Sequence, residues 1–197
     1  MKHLFSLFMT IERHPLQPFL PQGAKILFLG SFPPPRAKWS MDFFYPNWIN
    51  DFWRIMGIIH KGDKSYFEEA GEKRFDQERI MQFATQEGLA FYDTAVRVNR
   101  LNDNASDDLL EVLEATDITL LLNALPTCRT LVTTGGKAST LVQQHFQLTE
   151  MPKVGAAIDI ALPDRTLRWW RMPSSSRAYP LNIDKKADFY RQLWETE

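Results

Sequence analysis

Lys25-Ile26-Leu27-Phe28-Leu29-Gly30-Ser31-Phe32-Pro33-Pro34-Pro35 is the stretch on which the fold class turns. From Lys25 to Gly30 it reads as a short continuous apolar run ending in glycine, the pattern of a strand buried in a parallel sheet. The residues that follow cannot continue it, because proline fixes φ and has no N–H to give a ladder. A stiff loop therefore leaves the carboxyl end of a buried strand. Downstream, Trp48, Phe52, Ile55, Met56 and Ile59 share one face and predict a helix over Asn47–Ile59. Phe75–Glu87 predicts a second helix, stopped by Gly88. Leu89–Tyr92 reads as a strand with Asp93-Thr94 at its tip, and Arg129–Thr134 as another, which Gly135-Gly136 leads into a helix from Lys137 to Phe146. Helices are also expected over Asp107–Leu113, Asp117–Leu125 and Asp184–Leu193, and strands over Ile158–Leu162 and Thr166–Met172, joined by a turn at Pro163-Asp164. Strands alternating with helices predict a three-layer α/β/α sandwich around a mainly parallel central sheet. No linker, repeat or low-complexity segment interrupts residues 1–197, so one domain is expected. Ligands of such sheets bind outside the carboxyl ends of the strands. The loops expected there are Gly30–Pro35, Asp93–Arg97 and Met172–Pro180.

Composition narrows the chemistry. The chain has 197 residues, with 23 Lys+Arg against 24 Asp+Glu and a net charge of −1, so no whole-molecule field draws it to nucleic acid. Locally the balance differs. Arg165, Arg168, Arg171, Arg177, Lys185 and Lys186 face one acid, Asp184, across 22 residues, a basic strip suited to weak, salt-sensitive DNA binding. Cys128 is the one cysteine, which excludes an internal disulfide, a four-thiolate zinc site and an iron–sulfur cluster. The four histidines (His3, His14, His60, His145) lack metal-ligand spacing and read as surface or core residues, and Cys128 reads as a buried thiol. No metal or cofactor is expected. Gly135-Gly136-Lys137-Ala138-Ser139 departs from the phosphate-binding loop pattern, with Ala138 where Ser or Thr is required, and reads as a strand-to-helix turn. No apolar run reaches the ~20 residues of a membrane helix. The apolar start Met1–Met9 is followed by Glu12 and Arg13 without a small-residue cleavage site, so a cytoplasmic protein with no membrane partner is expected.

Two stretches stand out. One is Gly30-Ser31-Phe32-Pro33 followed by Phe44-Tyr45 and Asn50-Asp51-Phe52-Trp53; the other is Met172-Pro173-Ser174-Ser175-Ser176-Arg177. The second packs hydroxyls, backbone N–H groups and a cation into a rigid loop, a combination suited to phosphate oxygens. In this order and spacing the pair resembles the uracil-DNA glycosylase superfamily. The hypoxanthine/uracil branch is the nearest match, and the mismatch-specific uracil-DNA glycosylases come next. In that branch the first motif reads roughly Gly-Ser-[Met/Phe]-Pro and then Tyr-Tyr-x-x-Pro-x-Asn-x-Phe-Trp, and a Pro-Ser-x-Ser loop after a strand forms the second. The strand ending Phe91-Tyr92-Asp93-Thr94 resembles the superfamily's base-reading strand.

The resemblance implies a uracil-DNA glycosylase-like fold and a monomeric DNA glycosylase of base excision repair, its partner a DNA carrying a damaged base. Such an enzyme flips a deaminated base, uracil or hypoxanthine, from DNA and hydrolyses its glycosidic bond. It also implies roles. Tyr45 would be the stacking platform with Phe44 beside it. Asn50 would orient water or donate to a base carbonyl, and Asp93 would accept the ring N–H that uracil and hypoxanthine share. Backbone amides around Gly30, Ser31 and Phe32 would stabilise the departing base. Pro173, Ser174, Ser175, Ser176 and Arg177 would grip the phosphates. No motif places a lysine for Schiff-base attack, so no lyase step is implied. Two positions depart from the pattern. Phe32 stands where several relatives carry Asn or Asp, and Met172 where others carry His or Asn, which leaves Asn50 or Asp93 to position the water, or leaving-group stabilisation to do most of the work. The alternatives are a non-catalytic relative that binds DNA or a nucleobase, and a nucleoside or nucleotide hydrolase using the same pocket.

Overall fold

The computed structural model describes residues 9–101 and 110–195. Along the chain run β1 (Met9–Arg13), β2 (Ile26–Gly30), α1 (Phe52–Lys61), α2 (Gln77–Gln86), β3 (Leu89–Asp93), β4 (Ala95–Leu101), β5 (Leu110–Ala115), α3 (Ile118–Asn123), β6 (Thr130–Thr134), α4 (Gly136–His145), β7 (Ala156–Ala161), β8 (Thr166–Met172) and α5 (Ile183–Glu195). Helices flank a five-stranded sheet of order β3-β2-β6-β8-β7, in which the first four strands are parallel and β7 is antiparallel to β8. Every residue of β2 and β3 is buried, as an apolar run in a covered parallel sheet requires. The mainly parallel α/β sandwich expected from sequence is present.

Aromatic rings fill one side of this core. Phe91 of β3 stacks on Phe28 of β2 at 5.4 Å and meets Phe52 and Trp53 of α1 edge-on or tilted. Such pairs add about 0.5–1.5 kcal/mol each beyond the area they bury. Two helices start on an aspartate, as expected at Asp117 for α3: Asp76 accepts from Arg79 N, and Asp117 from Leu120 N.

Three sequence expectations are corrected. α1 begins at Phe52 rather than Asn47, because residues 47–51 spend their backbone groups elsewhere. Asn47 bridges Trp39, Asn50 bridges Ser176, and Asp51 N donates to Ser175 O. The helix expected over Asp107–Leu113 is instead strand β5 from Leu110 onward; residues 107–109 lie outside the described residues. The Asp93–Arg97 segment is not a loop, since β4 starts at Ala95. Both corrected segments belong to a second, antiparallel sheet of order β1-β4-β5. Thr94 N bonds Gly30 O and Ala95 N bonds Ser31 O, so this sheet grows directly from the ends of β2 and β3. Among the described residues no helix is long and apolar enough to cross a membrane. Residues 1–8 of the apolar N-terminal stretch lie outside the described residues.

Candidate active site

Four parallel strands end side by side at Gly30, Asp93, Thr134 and Met172. Beyond these ends lies a cleft of about 570 Å³. Gly30, Ser31, Phe32, Phe44, Tyr45, Asn50, Asp93 and Ser174 through Arg177 all line it. Pro173 does not. It is buried, and its carbonyl accepts from Tyr190 of α5, which anchors the start of the serine loop.

Asp93 is 9% exposed and its carboxylate hangs over Gly30. A Cβ at position 30 would collide with Asp93 Oδ1, so glycine is required there to admit the carboxylate rather than for any special φ. His14 Nε2–H donates to Asp93 Oδ2 at 2.9 Å from a ring itself buried. His14 was legible only as a surface or core histidine. Nothing in its spacing tells of an acid 79 positions away that the second sheet brings beside it.

Tyr45 lines the cleft with a ring already stacked on Phe52, 3.9 Å between centroids and 7° from parallel. Its hydroxyl shares a 2.8 Å hydrogen bond with Thr134, a cleft residue absent from any motif. Burial, opposed by that hydrogen bond and assisted by the Asp93 charge, raises the Tyr45 pKa far above the ordinary tyrosine value, so the phenol stays neutral. Tyr45 also holds φ at +53°, an unfavourable region for a side chain, maintained by the packing around it. Phe44 is nearly buried behind it, in contact with Phe91 and Tyr92. Phe32, besides lining the cleft, packs into a small cluster with Ala95, Val98 and Leu110 of the second sheet. Arg100 of β4 completes this junction. Fully buried, it pairs with Glu12 of β1 and donates to Pro33 O at 2.8 Å, tying the proline loop to the second sheet.

Asn50 Oδ1 accepts from Phe52 N at 2.9 Å, an Asx turn that leads the chain into α1. Its amide nitrogen is the group left for a ligand. Asp51, next along, is held by two cations: Arg177 Nε donates to Oδ1 at 2.8 Å and Lys186 Nζ to Oδ2 at 3.3 Å. Lys186 also donates to Ser176 O at 2.8 Å. This buried cluster clamps the serine loop to the start of α1. Arg177 is still half exposed, but one of its N–H groups is already spent. Lys38 adds a cation to the rim that no motif announced.

The remaining sequence candidates sit away from the cleft. Lys137 donates to Leu110 O, and Gly135-Gly136 is the turn into α4. Cys128 is buried, which pushes its thiol up to about 11. Among the described residues no group of three His, Cys, Asp or Glu could hold a metal ion.

No protein-family model and no curated protein matches this chain. Among solved structures, the solution NMR structure of a "putative Uracil DNA glycosylase" from Methanosarcina acetivorans is similar, with a TM-score of 0.61 and 21% identity. The match covers 94% of this chain and 99% of that one, so the likeness extends over nearly the whole fold.

Proposed function

We propose that the chain works as one unit, a monofunctional DNA glycosylase that hydrolyses the bond between deoxyribose and a deaminated base, uracil or hypoxanthine, in base excision repair. The observation that carries this reading is the convergence of Tyr45, Asn50, Asp93 and the Ser174–Arg177 loop on one cleft. Each supplies something a flipped base needs: an aromatic surface, an amide donor, a carboxylate acceptor, and hydroxyls and N–H groups for phosphates. Water adds its oxygen to C1′, the electron pair of the C1′–N bond leaves with the base, and one proton of the water ends on that base. Asp93 accepts the ring N–H of uracil or hypoxanthine, whereas the ring nitrogen of cytosine has no proton to offer. The amide nitrogen of Asn50 donates to a base carbonyl, and backbone amides at Ser31 and Phe32 oppose the charge that builds on the leaving base.

The test is incubation with labelled duplexes containing uracil, hypoxanthine or xanthine, followed by alkali. Alkali-sensitive sites at the damaged position are expected. Duplex binding without such sites would favour a non-catalytic relative, a reading that gains from Asn50 Oδ1 being committed to Phe52 N and from the apolar Phe32. Hydrolysis of free nucleosides alone would move the reading to a small-molecule hydrolase.

A further inference from the structure

We infer that His14 is the positioning residue that makes Asp93 a selective acceptor, so that the buried His14–Asp93 pair, rather than Asp93 alone, tells a base with a ring N–H from one without. The inference rests on the proposed role of the cleft in binding a base. Asp93 accepts a ring N–H only through an oxygen turned to the cleft, so what holds its other oxygen decides which one is presented. The His14 Nε2–H at 2.9 Å holds the Asp93 carboxylate in one orientation. It also occupies Oδ2, leaving Oδ1, which lies against Gly30, as the oxygen at the cleft floor.

The ring cannot easily turn away. It is packed against Tyr92 at 4.7 Å and edge-on to Phe32 at 5.4 Å. Its Nδ1 lies 3.2 Å from Leu16 N and 3.0 Å from Leu16 O, so the backbone of Leu16 holds the far side of the ring. The His14 side chain is 1% exposed, which removes a surface role.

Glutamine and asparagine at position 14 separate this role from mere packing. The amide nitrogen of glutamine reaches the place of Nε2, and that of asparagine only the place of Nδ1. Binding of free uracil and free cytosine is measured by NMR titration for the wild type, His14→Gln, His14→Asn and Asp93→Asn, with each melting temperature read alongside. A wild-type preference for uracil of about tenfold or more is expected, kept by His14→Gln and lost by His14→Asn and Asp93→Asn. Equal preferences in a folded His14→Asn and His14→Gln would overturn the proposal, as would a wild type that does not distinguish the two bases. Should His14→Asn fail to fold, the loss or retention of preference in His14→Gln decides. A wild type that prefers uracil but releases no base from a duplex overturns the glycosylase reading and leaves the role of His14 standing.

Discussion

Asn50 carries two duties on one amide, and the residue scale is where they separate. Its Oδ1 accepts from Phe52 N at the start of α1, and the residue lines the cleft. Asn50→Ala removes both, so a stability loss of about 1 kcal/mol is expected together with a roughly 10²-fold slower single-turnover base release. Asn50→Asp keeps an oxygen for Phe52 N and should melt close to the wild type. Its rate then reports the amide nitrogen alone: slow release assigns Asn50 to donation, near-normal release to water orientation through oxygen. An Asn50→Ala that melts lower yet releases base at the wild-type rate would reduce the residue to its Asx turn.

At the scale of elements, two joints tie α1 to its neighbours. Asp51, Arg177 and Lys186 fasten the serine loop and α5 to the start of α1. Both Asp51 and the Lys186 ammonium are buried, so Lys186→Met leaves a buried carboxylate with one cationic partner and takes one of two donors from Ser176 O, which keeps Tyr179 N. A destabilisation of about 3 kcal/mol is expected in urea unfolding. The second joint is His60 at the end of α1, which packs edge-on against Phe83 of α2 and Trp194 of α5. Its Nε2 is buried without a partner among the described residues. Burial lowers the His60 pKa below the usual histidine value, only partly offset by Glu87. The unfolded chain therefore takes the proton first, so the stability His60 contributes is complete above about pH 6.5 and falls as pH drops through that value toward the lower folded pKa. His60→Phe keeps the ring packing without the proton. Its melting temperature should fall less than that of the wild type between pH 7.5 and pH 5, and parallel curves would remove His60 from the acid response.

For the whole molecule, the basic strip seen in sequence is less bare than its composition suggests. Arg165 pairs with Asp164, Arg168 with Asp159, and Arg177 and Lys186 with Asp51. All three acids lie outside the strip's own count, so folding returns much of its charge to neutrality. Duplex affinity should then fall with salt by a slope of only about −2 to −3 on logarithmic axes, as two or three phosphate contacts give. Arg177→Ala should shallow that slope by about one unit, equally for damaged and undamaged duplexes. A much steeper wild-type slope would show that cations outside the strip carry the phosphates, and an unchanged slope in the variant would take Arg177 out of the grip.

The central sheet was legible in the sequence because a buried parallel strand has few ways to be written. Ile26–Gly30, Leu89–Asp93 and Thr130–Thr134 are apolar or small up to Tyr92 and Asp93 at the end of the second, and stand as strands within a residue or two of expectation. The motif residues were legible for the related reason that proline, glycine and clustered aromatics restrict a loop locally. What the sequence left undetermined is whatever depends on pairing across long distances. Leu110–Ala115 satisfies a helical period and an alternating one equally over six residues, and only its ladder with β4 selects the strand. The start of α1 is set by Ser175 and Ser176 taking backbone bonds from more than a hundred residues away. His14 and Lys186 are ordinary letters in their own neighbourhoods. They acquire meaning when folding buries each beside a carboxylate, because the free energy of a buried charge is decided by the partner brought to it and not by the residues next to it in the chain.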